Sequence, residues 1–162
     1  MSTSRGVRVS HEYTQTNDAP PAQVFPLLCP VREADWVPNW KYSLIYSDSG
    51  VAEDGCVFTT PNESGTETVW MVTRYDPASL TIAYAWVEPG MIATQLRIAL
   101  APAPGRKTRS HIRFVYTALS EAGNAVVDRY TQAWFRKKMQ AWEEAINYHL
   151  RTGKLVPAAA WE

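Results

Sequence analysis

The side chains able to do chemistry in this chain are few and scattered. His11 shares its strand parity with Val7, Val9 and Tyr13. Its ring is therefore expected on a covered face, where a neutral imidazole can act as a general base, hydrogen-bond a ligand, or simply be a satisfied strand histidine. Arg74 and Asp76 continue the parity of Thr68, Trp70 and Val72 toward a strand end. There they would orient a carboxylate or phenol, or else pair in solvent. Lys138 projects between Trp134 and Trp142 on an apolar stripe. Two readings stay open for it: a cation within a pocket, with a lowered pKa or an anionic ligand, or a stem lying over apolar surface with its ammonium in water. Glu33 and Asp35 are expected on a short exposed helix, and no separation marks them as an acid/base pair. His111 lies between Arg109 and Arg113 and reads as solvated; His149 sits near a helix C-terminus, where a cationic ring favours the dipole. Cys29 and Cys56 are too few for a disulfide framework and lack metal-ligand spacing, so buried thiols and no metal are expected. Gly-x-Ser-x-Gly, His-Glu-x-x-His, Cys-x-x-Cys, Gly-x-Gly-x-x-Gly and phosphate-loop patterns are absent, which leaves His11 and Arg74 as the catalytic candidates.

The elements that must position these groups follow from periodicity. Residues 7–16 alternate with period two, as a half-buried strand does. Asp18 is suited to cap a helix that Pro20 and Pro21 open, and Pro26 and Pro30 restrict residues 21–36 to two brief helices bent at Cys29-Pro30. Six strand-like runs follow, over 42–47, 56–60, 66–75, 80–87, 92–100 and 109–117, separated by turn signals such as Asp48-Ser49-Gly50 and Glu88-Pro89-Gly90. One parity of each long run is bulky and apolar, so the sheet is expected to have one covered and one wet face, the latter carrying Glu67, Arg97, His111 and Arg113. One long helix is predicted from Ser120, its cap, to about Arg151, with Gly153 as the stop. Its stripe of Val127, Tyr130, Trp134, Phe135, Trp142, Ala145 and Ile146 faces the sheet, while Glu143, Asn147 and Arg151 fall on the opposite side.

Composition bounds the function. With 162 residues, 46% of them apolar, the chain suits a single domain with a sizeable core about residues 7–152 and a short C-terminal tail. Sixteen Lys+Arg balance sixteen Asp+Glu, so nothing attracts a polyanion and nucleic acid is not an expected partner. No apolar run approaches the roughly 18 residues of a membrane span, and the first residues lack a signal-peptide core, so a cytoplasmic location is expected.

The order strand, two short helices, six strands and long C-terminal helix resembles the helix-grip fold of the START-like, or Bet v 1-like, superfamily (SRPBCC), which includes polyketide cyclases. The segment Asp18-Ala19-Pro20-Pro21-Ala22-Gln23-Val24-Phe25-Pro26-Leu27-Leu28 looks like the family's "APPEKVFDLL" signature, and Tyr75-Asp76-Pro77 and Tyr116-Thr117-Ala118-Leu119-Ser120 are similar to members as well. The resemblance implies an α+β fold in which a curved antiparallel sheet wraps the last helix around a cavity. It also places Trp36 and Trp40, four residues apart, in a pocket-mouth loop.

On that fold, periodicity selects the lining. Trp70, Tyr84, Trp86, Leu96, Ile98, Phe114 and Tyr116 come from strands, and Tyr130, Trp134 and Trp142 from the helix. Seven Trp and eight Tyr suit a pocket for a flat or amphipathic ligand, because their rings bury its apolar body while N–H and O–H tips orient polar substituents; equally, such rings can fill a core. The expectation is a binder of an apolar or aromatic, lipid- or polyketide-like small molecule, without metal or organic cofactor. A polyketide cyclase or aromatase acting in the same cavity, and a co-chaperone-like module using the outer sheet face, are the alternatives.

Overall fold

A computed structural model describes residues 5–161. Seven strands form one antiparallel sheet in the order β1-β7-β6-β5-β4-β3-β2. They are β1 (Arg8–Asn17), β2 (Ser43–Tyr46), β3 (Val57–Pro61), β4 (Glu67–Asp76), β5 (Thr81–Glu88), β6 (Ile92–Ala103) and β7 (Lys107–Ala118). Between β1 and β2 lie α1 (Pro21–Val24), a 3-10 turn over Phe25–Leu28, and α2 (Pro30–Glu33). The prolines set these boundaries, each standing in a first turn where no N–H is required. Asp18 does not cap α1, whose N-cap is Pro20 without a side-chain bond. Its carboxylate instead pairs with Lys107 (3.2 Å) and Arg151 (3.5 Å), tying the end of β1 to β7 and the last helix.

The single long helix expected from residue 120 is two. Ser120 caps α3 (Glu121–Val127) by accepting from the Gly123 N–H (3.0 Å), and the chain then leaves helical geometry until α4 (Gln132–Thr152). Thr131 begins α4 anew, extended at φ −70°, ψ 164°, its hydroxyl accepting from the Trp134 N–H (3.2 Å). The carbonyl of Tyr130, freed by the break, meets His11 Nε2 at 2.5 Å, and His11 Nδ1 lies 2.9 Å from Gln132 Oε1. A Cβ at Gly123 would stand 2.0 Å from the Met91 carbonyl oxygen, so α3 approaches the β5–β6 turn through a position only glycine fits. Gly153 closes α4 in the left-handed region, φ 68°.

A bulge between Val72 and Arg74 overturns the expected parity at the end of β4. Val72 faces Tyr84 but Arg74 faces Ala83, so one residue is inserted and the following side chains change faces. Arg74 is exposed on the outer surface, 3.4 Å from Asp76, and Tyr75 takes the inward place, 5.4 Å from Phe25. The outer face is also less uniformly wet than predicted. Glu12, His111 and Arg113 form its charged half, whereas Val69, Met71 and Val87 are 42–49% exposed on the other.

The core lies between the sheet's inner face and α4, where Phe135, Met139, Ala145 and Ile146 are fully buried. Each large side chain so buried contributes about 1.5–3 kcal/mol. Glu143 and Asn147, expected on the solvent side, are bonded to the sheet edge. Glu143 accepts from the Thr16 N–H (3.0 Å), and Asn147 accepts from the Asp18 N–H (2.9 Å) and donates to the Thr16 carbonyl (3.1 Å). Among the described residues no helix is long and apolar enough to cross a membrane.

Candidate functional site

Helix α4 lies along β1 and leaves a gap toward β4 and β5, and that gap is a cavity of about 310 Å³. Its sheet wall is built by register. Phe58, Trp70 and Trp86 stand opposite one another across β3, β4 and β5, and Tyr84, Leu96 and Phe114 do so across β5, β6 and β7. The rings stack in a row, Phe58 on Trp70 at 5.3 Å and Trp70 on Trp86 at 4.0 Å, with Phe114 edge-on to Trp86 at 5.9 Å. Trp142 of α4 closes the opposite side, 6.0 Å from Phe114, while Val37, Trp40 and Trp161 complete the wall. Trp40 is fixed by its indole N–H donating to the Pro30 carbonyl (2.8 Å), and Trp70 by donating to Thr60 Oγ1 (2.9 Å).

Two titratable groups face this aromatic space. Lys138 points its Nζ over the Phe114 ring at 4.7 Å, with Trp134 at 5.3 Å and Tyr116 at 6.0 Å. Ring faces attract the ammonium, but the loss of water dominates and draws its pKa down to about 8, against a weaker upward pull from Glu88. The pocket reading of Lys138 is thus the one its surroundings fit. Glu33 brings a carboxyl to the same cavity from the last position of α2, where burial pushes its pKa up to about 8. Among the described residues neither group has an ion-pair partner. Tyr84, in the same wall, donates its hydroxyl to the Leu28 carbonyl, and burial followed by the nearby Glu33 holds the phenol well above its ordinary pKa. Among the described residues no group of three or more His, Cys, Asp or Glu is arranged to hold a metal ion.

Of the residues picked out by periodicity, Trp70, Tyr84, Trp86, Leu96, Phe114 and Trp142 line the cavity together, and Trp40, which the resemblance pointed to, joins them. Tyr130 and Trp134, stacked at 4.1 Å, instead border a neighbouring hollow of about 800 Å³ that shares Trp70 and Trp86 with the cavity and opens past Glu88 and Arg129. The structure places three others in packed interior. Trp36 is 0% exposed and donates to the Leu27 carbonyl (2.7 Å), so it is not the exposed-loop ring expected; Ile98 and Tyr116 are buried in the sheet, the Tyr116 hydroxyl without a partner among the described residues. His11 is held at the α3–α4 break and stacked on Phe135 at 5.2 Å, and Arg74 is on the outer face; neither lines the cavity.

Glu33, Val37, Phe58 and Trp161 are the lining residues that neither periodicity nor the resemblance selected. A signal for Glu33 existed: it lies three and four residues before Trp36 and Val37, on the face they bury, whereas Arg32 and Asp35 pair outside at 2.6 Å. A hollow on the outer face of the sheet is lined mainly by polar and charged side chains and lacks the enclosing rings, whereas one of about 480 Å³ along α4 shares Lys138, Trp142 and Trp161 with the cavity and adds Trp134 and the polar Lys137, Gln140 and Glu144.

Residues 8–146 match the family model described as polyketide cyclase / dehydrase and lipid transport. No curated protein matches the chain in sequence. Among solved structures, norcoclaurine synthase from Thalictrum flavum superposes with a TM-score of 0.65 at 15% identity, over 91% of this chain and 89% of that one. Ara h 8.0201 does so with a TM-score of 0.63 at 16% identity, over 90% and 99%. The di-domain ARO/CYC BexL of the BE-7585A biosynthetic pathway gives 0.63 at 14% identity, over 88% of this chain but 46% of the larger protein. At these identities the likeness is one of fold: the helix-grip architecture.

Proposed function

We propose that this chain, which belongs to the polyketide cyclase / dehydrase and lipid transport family, binds a flat aromatic or polyketide-like molecule between its sheet and α4. One observation carries the reading: a cavity walled by Trp70, Trp86, Phe114 and Trp142 holds a lysine amine and a carboxyl for which the described protein supplies no ion-pair partner. Rings bury the ligand's body, Lys138 meets an anionic or acceptor oxygen, and Glu33 meets a hydroxyl. A volume of about 310 Å³ is at the lower end of small-molecule sites and suits two or three fused rings rather than a long acyl chain. A similar structure, norcoclaurine synthase, is described in complex with dopamine and hydroxybenzaldehyde, which supports small aromatic ligands as a class this architecture can hold.

A cyclase or aromatase activity in the same cavity is the second reading. It is favoured by Glu33 and Lys138 both titrating at about 8, where an acid and a base can exchange protons with a bound chain near neutral pH. Naphthoate tests the binding step. It is expected to quench tryptophan emission at one saturable site, and Lys138→Met to weaken it by about 10- to 100-fold, the worth of a hydrogen bond to a charged group. Absence of saturable quenching by naphthoate and by neutral naphthalenes would remove the binding reading. A poly-β-ketone turned over by the native chain but not by Glu33→Gln, at equal affinity, would promote the cyclase.

A further inference from the structure

Five lysines occur in the sequence, and four of them, Lys41, Lys107, Lys137 and Lys154, are exposed. Lys138 differs in place and surroundings. It rises from the middle of α4, a helix pinned to β1 by Glu143 and Asn147, so its stem starts from a rigid base. Its Nζ stands inside the ring cage of Phe114, Trp134 and Tyr116, and among the described residues no carboxylate pairs with it. An aromatic ligand lying against Trp86 and Phe114 would bring its substituent to that nitrogen.

We propose that Lys138 is a nucleophile: its Nζ condenses reversibly with an aldehyde or ketone carried by an aromatic ligand seated in the cavity. This deepens the ligand-binding reading and rests on it. The nitrogen lone pair attacks the carbonyl carbon and the C=O π pair moves to oxygen, giving a carbinolamine. The C–O bond then breaks, the oxygen leaves with both amine hydrogens as water, and a C=N bond remains. The imine nitrogen takes one proton from solvent to become an iminium. Three features of the site favour this course. The amine's lowered pKa, about 8, leaves on the order of a hundredfold more of it neutral at pH 8 than for an exposed lysine. Ring faces that attract an ammonium attract the iminium formed in its place. Apolar walls limit the water that would reverse the condensation.

The test treats the native chain with naphthaldehyde and borohydride at pH 8, where hydride adds to the imine carbon and fixes the adduct as a secondary amine. Peptide mass mapping then reads each lysine, and the exposed neighbour Lys137 serves as the internal reference. Lys138 is expected to be labelled at least tenfold faster than Lys137, and methylnaphthalene, which has no carbonyl, to suppress labelling at Lys138 alone. Lys138→Met and Lys138→Arg are expected to lose the fast label while keeping the native circular dichroism and the slow label at Lys137. Label spread evenly over Lys41, Lys107, Lys137 and Lys154, with Lys138 no faster, would overturn the proposal. If methylnaphthalene still quenches tryptophan saturably in that case, only the imine falls; if it does not, the binding reading falls with it.

Discussion

The two sides of α4 are built on opposite terms. Toward β1 and β7 the seam is polar and closed: Gln15, Asn17, Thr108 and Ser110 are each 0% exposed, Asn17 accepts from Gln15 (3.0 Å) and Ser110 (3.4 Å), and its amide reaches Asn147 (3.3 Å). Toward β4 and β5 no hydrogen bond among the described residues joins α4 to the sheet; rings, with Val37 and Leu96, surround a space that a lysine and a carboxyl face. Gln15 Oε1 has no partner among the described residues, but the bonds that are made fix one geometry, because each displaced partner leaves an unpaired group; rings around a void impose no such demand. The difference teaches a division of labour in which the seam sets the helix's position and thereby props the cavity open.

Core truncations on the two sides should break this comparison most visibly. Phe135→Ala, at a site with no exposure, is expected to lower stability by about 3–5 kcal/mol, whereas Trp142→Ala beside existing space should lose about 1–2 kcal/mol and weaken naphthoate binding instead. Denaturant unfolding and tryptophan quenching on both variants check it. Equal stability losses would mean that the cavity wall is packed core after all.

Next in size is a pH signature confined to the cavity side. Between pH 4.5 and about 8 the unfolded chain ionises Glu33 while the folded one keeps it protonated, so stability falls as pH rises through that window. Between about 8 and 10.5 the unfolded chain keeps the Lys138 proton that the folded one has lost, so stability rises again. Their two contributions, each about 1–3 kcal/mol, meet in a minimum near pH 8. Urea midpoints across pH should show Glu33→Gln flattening the acid limb and Lys138→Met the alkaline one. Wild-type limbs that survive both substitutions would place the titration elsewhere.

The smallest effect is expected at Arg74. Its ion pair with Asp76 is exposed, so Arg74→Ala should change stability by less than about 0.5 kcal/mol and leave naphthoate affinity unaltered. A tenfold affinity loss would show that the outer face communicates with the cavity.

Strand alternation made the inward rings of β4 to β7 legible, and with them most of the cavity wall, because a period of two leaves few alternatives once one face is apolar. What escaped was set by events that alternation cannot see. The Val72/Arg74 bulge shifts parity within a run whose residues are all strand formers, so Arg74 reads as inward. Tyr130 falls on the helical stripe, yet the chain is not helical there; its carbonyl is taken by His11, a partner 119 residues away. Trp36 reads as a loop residue in sequence and is core because the Leu27 carbonyl offers its N–H a buried acceptor. Glu33 was hidden by its own charge, since carboxyls are expected outside unless a site calls for one.

Indole N–H resonances of the isotopically labelled native protein, followed during a naphthoate titration, test the central claim most directly. Seven tryptophans give seven such signals, and they sample both packed interior and cavity wall. The account expects those of Trp70, Trp86 and Trp142 to shift together to one saturable end point, while that of Trp36, fully buried and bonded to Leu27, moves least. Shifts that leave Trp70, Trp86 and Trp142 unmoved, or that rise without saturation, would contradict a ligand site between the sheet and α4.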